Sequence, residues 1–316
     1  MRLCLMIEGQ EGVTWDQWLD LARTAEGAGL EGLFRSDHYV SVRGRTELGS
    51  LDAWTTLAGL AAHTTRLRLG TLVSPATFRH PSVLAKSVAT VDHISGGRVE
   101  LGMGAGWYEL EHAAYGFEFP DTATRLGRLA EQLEIVHRTW TEDGLDFTGD
   151  HYRLSSLDGR PKPVQTPHPP IIVGGSGGAR SVALAARWAD EYNTLLAAPE
   201  ECRSRKESLA AAWDKEGRDP ETLRFSLMTS VLIGETDADL HRRAARLAEW
   251  RGRGEEPGEV LESMKERGVV GTADQAIEAL GTLADAGIDR VMLQHLLHDD
   301  LDTVELIGKE LVPAVS

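Results

Sequence analysis

The sequence predicts a single (β/α)8 barrel of the TIM type over residues 1–316, and three observations carry that reading. Eight short apolar runs, at 3–8, 32–37, 66–74, 99–106, 170–175, 191–197, 225–234 and 290–296, are each followed by a polar loop and a helical pattern. This β-then-α rhythm is that of a parallel sheet closed on itself. No Gly/Ser-rich or Pro-rich linker divides the chain. Length agrees, because barrels of this class run to ~250 residues or more as one domain. Their chemistry gathers where strands end and loops begin, so each strand end is read for reactive groups.

A net charge of −16 opposes nucleic-acid backbones and anionic membrane surfaces, and neither is an expected partner. Cys4, within the first strand, and Cys202, on a helix, make neither a disulfide framework nor a metal-type CxxC pair. No basic-then-apolar leader precedes the first strand, and no run approaches the ~20 apolar residues of a membrane span. A cytoplasmic protein acting on a small molecule is expected.

Strand 1 delivers Glu8 to the barrel mouth, either as a site carboxylate or as a solvated loop residue. Thr14 caps a helix from Trp15 to about Ala28, with Leu19, Ala22, Ala25 and Ala28 toward the barrel and Gly29 as the stop. Strand 2 ends in Ser36-Asp37-His38. Adjacent strand residues point to opposite faces, so one of Asp37 and His38 faces the central cavity and the other the loops. An imidazole exchanges protons in either direction near neutrality, which makes His38 a catalytic candidate; the alternative is a histidine that merely caps the strand. The loop 39–50, with Arg43 and Arg45, is long enough to lie over a ligand.

In strand 3 the alternation breaks at Gly70, which marks a bulge or a close backbone approach. Pro81 then opens the helix 82–94. Strand 4 reads Val-Glu-Leu-Gly-Met-Gly-Ala-Gly over 99–106, and its G-x-G-x-G spacing is not the dinucleotide fingerprint. Glycines here either clear side chains from the cavity, so that a flat ligand lies on the backbone, or let barrel layers pack tightly. Trp107 and Tyr108 follow at once and can wall a pocket.

Segment 142–169, with Phe147, Tyr152 and a cluster of prolines, reads as a hairpin inserted on the barrel. Strand 5 runs into Gly175-Ser176-Gly177-Gly178-Ala179-Arg180 and then directly into a helix. A glycine-rich turn opening a helix offers free N–H groups and the positive end of the helix dipole, which suits a phosphate, and Arg180 adds a bidentate partner. An ordinary strand-to-helix turn is the alternative. His295 and His298 stand near Asp299 and Asp300 without a third ligand at metal spacing, so no metal is expected. The arginines of 242–253 are assigned to solvated helix faces, and 251–259, within a second insertion at about 251–272, to a mobile loop over the mouth. A phosphate cradle and a small-residue cavity with one histidine together point to a phosphorylated cofactor and to proton or hydride chemistry.

Ser36-Asp37-His38, Leu-Gly-Thr-Leu-Val-Ser-Pro at 69–75, Phe-Arg-His-Pro at 78–81, the run from Gly96 to Trp107, and Val-Gly-Gly-Ser-Gly-Gly at 173–178 resemble the bacterial luciferase-like superfamily. The resemblance covers nearly the whole chain. Its Ser-Asp-His element is most similar to the branch that uses the deazaflavin coenzyme F420, which includes glucose-6-phosphate dehydrogenase and methylene-tetrahydromethanopterin reductase relatives. The other branch uses FMN with O2. The resemblance implies that Asp37 and His38 lie beside the deazaflavin ring, with His38 as proton donor or acceptor; Glu8 is the rival donor because strand 1 neighbours strand 2 in the barrel. It implies a non-proline cis peptide at Thr71–Leu72 backing the ring, Ser74, Ala105 and Gly106 lining it, and residues 175–180 holding the phosphate. One departure stands out: the sugar-phosphate dehydrogenases have Gly-Glu after strand 4, whereas here Trp107 follows Gly106, which favours a flatter, more apolar substrate. The expectation is therefore an F420-dependent oxidoreductase, a homodimer. The alternatives are an FMN-dependent monooxygenase and a cofactor-binding relative without catalysis.

Overall fold

A computed structural model describes residues 1–315. In chain order its strands are β1 (Arg2–Ile7), β2 (Gly32–Arg35), β3 (Arg68–Thr71), β4 (Ser74–Pro75), β5 (Val99–Gly104), β6 (Leu145–Thr148), β7 (Arg153–Leu157), β8 (Ile171–Gly174), β9 (Glu191–Leu195), β10 (Arg224–Gly234), β11 (Val269–Thr272) and β12 (Arg290–Gln294). Parallel pairing runs β1-β2-β3-β5-β8-β9-β10-β12 and closes from β12 back to β1, giving the eight-stranded barrel. The two-residue β4 continues the β3 edge against β5.

The period-two alternation of the strands sorts their side chains. Leu3, Leu5, Ile7 and Leu33 face outward into the layer between sheet and helices. Cys4, Met6, Phe34, Ile172 and Met292 face inward as an apolar plug, with Leu72 and Met228 packed against it. Toward the other end of the barrel three inward charges replace the apolar residues. Arg290 donates to Glu100 at 2.7 Å and to Glu191 at 2.6 Å, and all three are buried. Desolvation opposes the Glu100 charge, but Arg290 and Arg68 outweigh it and hold its pKa below the usual carboxylate range.

The helices that shape the mouth are α1 (Trp15–Gly27), α2 (Ala53–His63), α3 (Pro81–Ser95), α4 (Glu109–Tyr115), α5 (Thr122–Thr141), α6 (Ala179–Trp188), α7 (Pro199–Lys215), α8 (Asp237–Arg251) and α9 (Pro257–Lys265). Thr14 caps α1 in a reciprocal capping box with Gln17. Its fully buried face is Trp18, Leu21, Ala22 and Ala25; Leu19 and Ala28, expected there, are only partly buried, because the i, i+3, i+4, i+7 stripe is centred on Trp18. None of the helices is long and apolar enough to cross a membrane among the described residues.

Both insertions are structured. Antiparallel β6 and β7 form the hairpin within 142–169. In 251–272, α9 and β11 pack with α8 around Leu240, Leu247, Val260, Leu261 and Met264, and β11 pairs with the outer half of β10. The stretch read as a loop, 251–259, is thus interrupted at Pro257, which starts α9. Arg243 also departs from expectation. It is buried rather than solvated, donating to the Ile233 carbonyl at 3.1 Å and lying 3.3 Å from Asp239.

Candidate active site

Parallel closure places every strand's C-terminal end on one rim. Glu8, at the end of β1, accepts from Gln294 Nε2 at 2.6 Å and from Gln10 Nε2 at 2.8 Å. Gln10 is itself fully buried and accepts a hydrogen bond from the Ser36 hydroxyl through Oε1, and Ser36 Oγ accepts one from the Gly9 amide at 3.2 Å. A hydrogen-bonded chain thus links the end of β1 to the end of β2.

Asp37 and His38, two and three residues beyond β2, bond to different elements. Asp37 is buried and accepts from the Ser74 hydroxyl at 2.6 Å and from Arg79 at 2.5 and 3.1 Å. Arg79 extends this network to Asp52 at 2.7 Å and to the Tyr39 hydroxyl at 3.0 Å. Burial opposes the Asp52 charge, but the Thr55 amide and Arg79 outweigh it and hold its pKa at about 2. Arg79 is held above its usual pKa, since the charge of Asp37 outweighs the burial that would lower it.

His38 turns to α4. Its Nδ1 lies 2.7 Å from Glu111 Oε1, and the edges of Trp107 and Tyr108 stand 5.7 and 6.2 Å from its ring, centroid to centroid. Burial would lower the imidazole pKa; the Glu111 hydrogen bond and charge outweigh it and raise the value above that of a free histidine. Trp107 is 62% exposed and forms the open wall.

The strand 3 bulge is built differently from the expectation. The non-proline cis bond is Leu72–Val73, one residue later than Thr71–Leu72. Thr71 and Ser74 are buried, with Thr71 Oγ1 donating to the Gly102 carbonyl at 3.1 Å and Trp54 Nε1 donating to Ser74 Oγ at 3.1 Å. Leu72 caps the apolar plug. The space over the β5 glycines is consequently filled rather than open. A Cβ at Gly102 would collide with the Thr71 carbonyl, one at Gly104 would lie 2.7 Å from Val73, and one at Gly174 would lie 3.0 Å from Val73. Tight packing is therefore what Gly102 and Gly104 serve. Ala105 packs on the core, and Gly106, at φ +82°, passes its carbonyl to Arg125 at 3.2 Å.

The turn 175–180 runs from the end of β8 into α6. Gly177 has φ +86°, and its amide donates to the Tyr192 hydroxyl at 2.9 Å. A Cβ at Gly175 would lie 2.5 Å from that hydroxyl, so position 175 is filled only by glycine without a shift of Tyr192. Gly178 caps α6 with no side-chain bond, leaving the first-turn amides of α6 without acceptors among the described residues. Arg180 donates to the Ala123 carbonyl at 3.1 Å, and Arg205 of α7 reaches beneath Gly177, 3.2 Å from where its Cβ would be. The first-turn amides of α6, with Arg180 and Arg205 nearby, are the groups that could hold an anion here.

Arg79, Glu111 and Arg205 were not among the expected site residues. Arg79 lay within a quoted motif; Glu111 and Arg205 look like any helix-surface charge, and nothing local marks them.

The mouth of this closed parallel barrel thus carries an imidazole bound to a buried carboxylate and a glycine-rich turn that opens a helix. The chain belongs to the luciferase-like monooxygenase family, whose model matches residues 4–290. It is 29% identical over 315 residues to the F420-dependent glucose-6-phosphate dehydrogenase of Nakamurella multipartita, covering 93% of this chain and 91% of that one. It is 25% identical over 322 residues to the FMNH2-dependent dimethylsulfone monooxygenase of Pseudomonas putida, covering 93% and 86%. An F420-dependent secondary alcohol dehydrogenase in complex with an F420-acetone adduct shares the fold at TM-score 0.84 and 20% identity, over 100% of this chain and 99% of that one. Uncharacterized mycobacterial relatives match at 37% identity over 145 residues, so the chain spans about half of their length.

Proposed function

We propose that the protein is an F420-dependent oxidoreductase that moves a hydride between the deazaflavin and a small organic substrate, with His38 exchanging the accompanying proton. The observation that carries this reading is the placement of His38 at the barrel mouth, bound to Glu111 at 2.7 Å and bordered by Trp107 and Tyr108. F420, when bound, supplies the hydride donor or acceptor. The residues 175–180 and Arg205 hold its phosphate, the bulge at Thr71, Leu72 and Ser74 supports its ring, and Ala105 and Gly106 border it. Asp37 takes part by fixing the end of β2, through Ser74 and Arg79. With Trp107 after Gly106, the substrate is flat and largely apolar rather than a sugar phosphate.

Titrating the purified protein with F420 and with FMN by fluorescence quenching tests the cofactor. Binding of F420 at micromolar concentration or tighter supports the proposal. Tight FMN binding without F420 binding overturns it in favour of a flavin monooxygenase.

A further inference from the structure

We propose that Glu111 governs the protonation of His38: its buried carboxylate holds the proton on Nδ1 and leaves Nε2 as the one ring nitrogen that exchanges a proton with substrate. This rests on His38 as the proton carrier and makes Glu111 a positioning residue.

Glu111 is 73 residues from His38 in sequence and 1% exposed. Its two oxygens are used on successive residues of the β2 end, Oε1 on His38 Nδ1 at 2.7 Å and Oε2 on the Tyr39 amide at 3.1 Å. The helix turn that carries it is itself anchored, because His112 lies 2.7 Å from the Tyr108 carbonyl through Nδ1 and 2.7 Å from Thr77 Oγ1 through Nε2. Both carboxylate oxygens are thus engaged by the β2 end, on a helix turn that is itself anchored. An ionised carboxylate only accepts, so the bonded Nδ1 must be the donor. A neutral imidazole has one N–H, which leaves Nε2 bare to take a proton; in the charged form Nε2 carries the proton to give.

The charges facing His38 are Glu111 from α4, Glu8 from β1 and Asp37 from its own strand, and the last is answered by Arg79. Burial alone would lower the pKa, and Glu111 is the largest opposing influence. Without it, burial dominates and His38 becomes neutral at lower pH.

The test is a nitrogen-15 NMR titration of the histidine side chains, which needs neither cofactor nor substrate. In the wild type, neutral His38 should carry its proton on Nδ1 and titrate above the ordinary value of about 6.5. Glu111→Gln should bring the midpoint below that value, and Glu111→Asp should hold it in between, with thermal melts confirming that both fold. A midpoint that does not move in Glu111→Gln, or a neutral His38 protonated on Nε2, overturns the proposal. With a substrate in hand, Glu111→Gln should lose ~10-fold or more in turnover, toward the ~10⁴ that a wrongly protonated histidine costs. The acid–base limb of its pH profile should move with the NMR midpoint. If His38→Ala keeps full turnover while the NMR shift is as expected, the assignment of His38 fails and that of Glu111 as its controller stands.

Discussion

Arg79 grips Asp37 with both arms of its guanidinium, Nη1 at 2.5 Å from Oδ2 and Nη2 at 3.1 Å from Oδ1. Asp37 also takes the Ser74 hydroxyl, so both its oxygens are committed inside the protein. The pair ties the end of β2 to the segment that follows the strand 3 bulge, and thereby sets the direction in which His38 leaves the strand.

Replacing Arg79 with Met should accordingly act on stability first. It leaves the Asp37 carboxylate buried without its cation, a loss of about 3–5 kcal/mol. Urea unfolding of Arg79→Met reads this directly. A change below about 1 kcal/mol would show that Asp37 finds water or another partner.

In the cradle, Gly177→Val should block the turn, since φ +86° strains any side chain and the Cβ would meet Arg205. Arg180→Ala and Arg205→Ala should each weaken cofactor binding by roughly 1.5–3 kcal/mol, the worth of a charge-assisted bond. Titration of the three variants checks this. Unchanged affinity in all of them means that the tail is held elsewhere.

His38→Ala should bind cofactor nearly as well as wild type, because the cradle and bulge lie on other strands, while turnover falls by ~10²–10⁴. Glu8→Gln is the comparison, since Glu8 is another carboxylate at the mouth, engaged by Gln10 and Gln294. Single-turnover measurements at saturating cofactor distinguish them. Loss in Glu8→Gln with none in His38→Ala would reverse the two roles.

Two buried histidines after β12 set an acid limit on stability. Burial lowers His295 to a pKa of about 4, and burial with the neighbouring His295 lowers His298 to about 3. Their folded values lie below the unfolded value of about 6.5, so the unfolded chain protonates first. The stability they confer is complete above about pH 6.5 and is lost as pH falls toward the folded values. Each contributes up to about 1.4 kcal/mol per pH unit within that window. His298→Leu, beside the apolar Leu296 and Leu297, should flatten the fall of unfolding free energy between pH 6 and 4. An unchanged slope would place the acid sensitivity on other groups.

The barrel was legible in the chain because its signals are local. An apolar strand, a polar loop and an amphipathic helix each fit within a few residues, and their repetition closes a parallel sheet in one way. The same holds for the glycine turn 175–180 and for Glu8, Asp37 and His38, which the alternation of a strand delivers to a known end. Which of these groups meets which partner is another matter. Glu109 and Glu111 are alike in sequence, yet the turn of α4 exposes one and buries the other against His38. Glu100, Glu191 and Arg290 are single charges on three separate strands, joined only when the barrel closes around them. The glycines of β5 could have opened a cavity, but the bulge of strand 3 inserts Thr71 and Val73 over them. Periodicity records the preference of one segment for one face, whereas an ion pair, a filled cavity or a fixed tautomer depends on atoms brought within about 3 Å by segments that carry no record of one another.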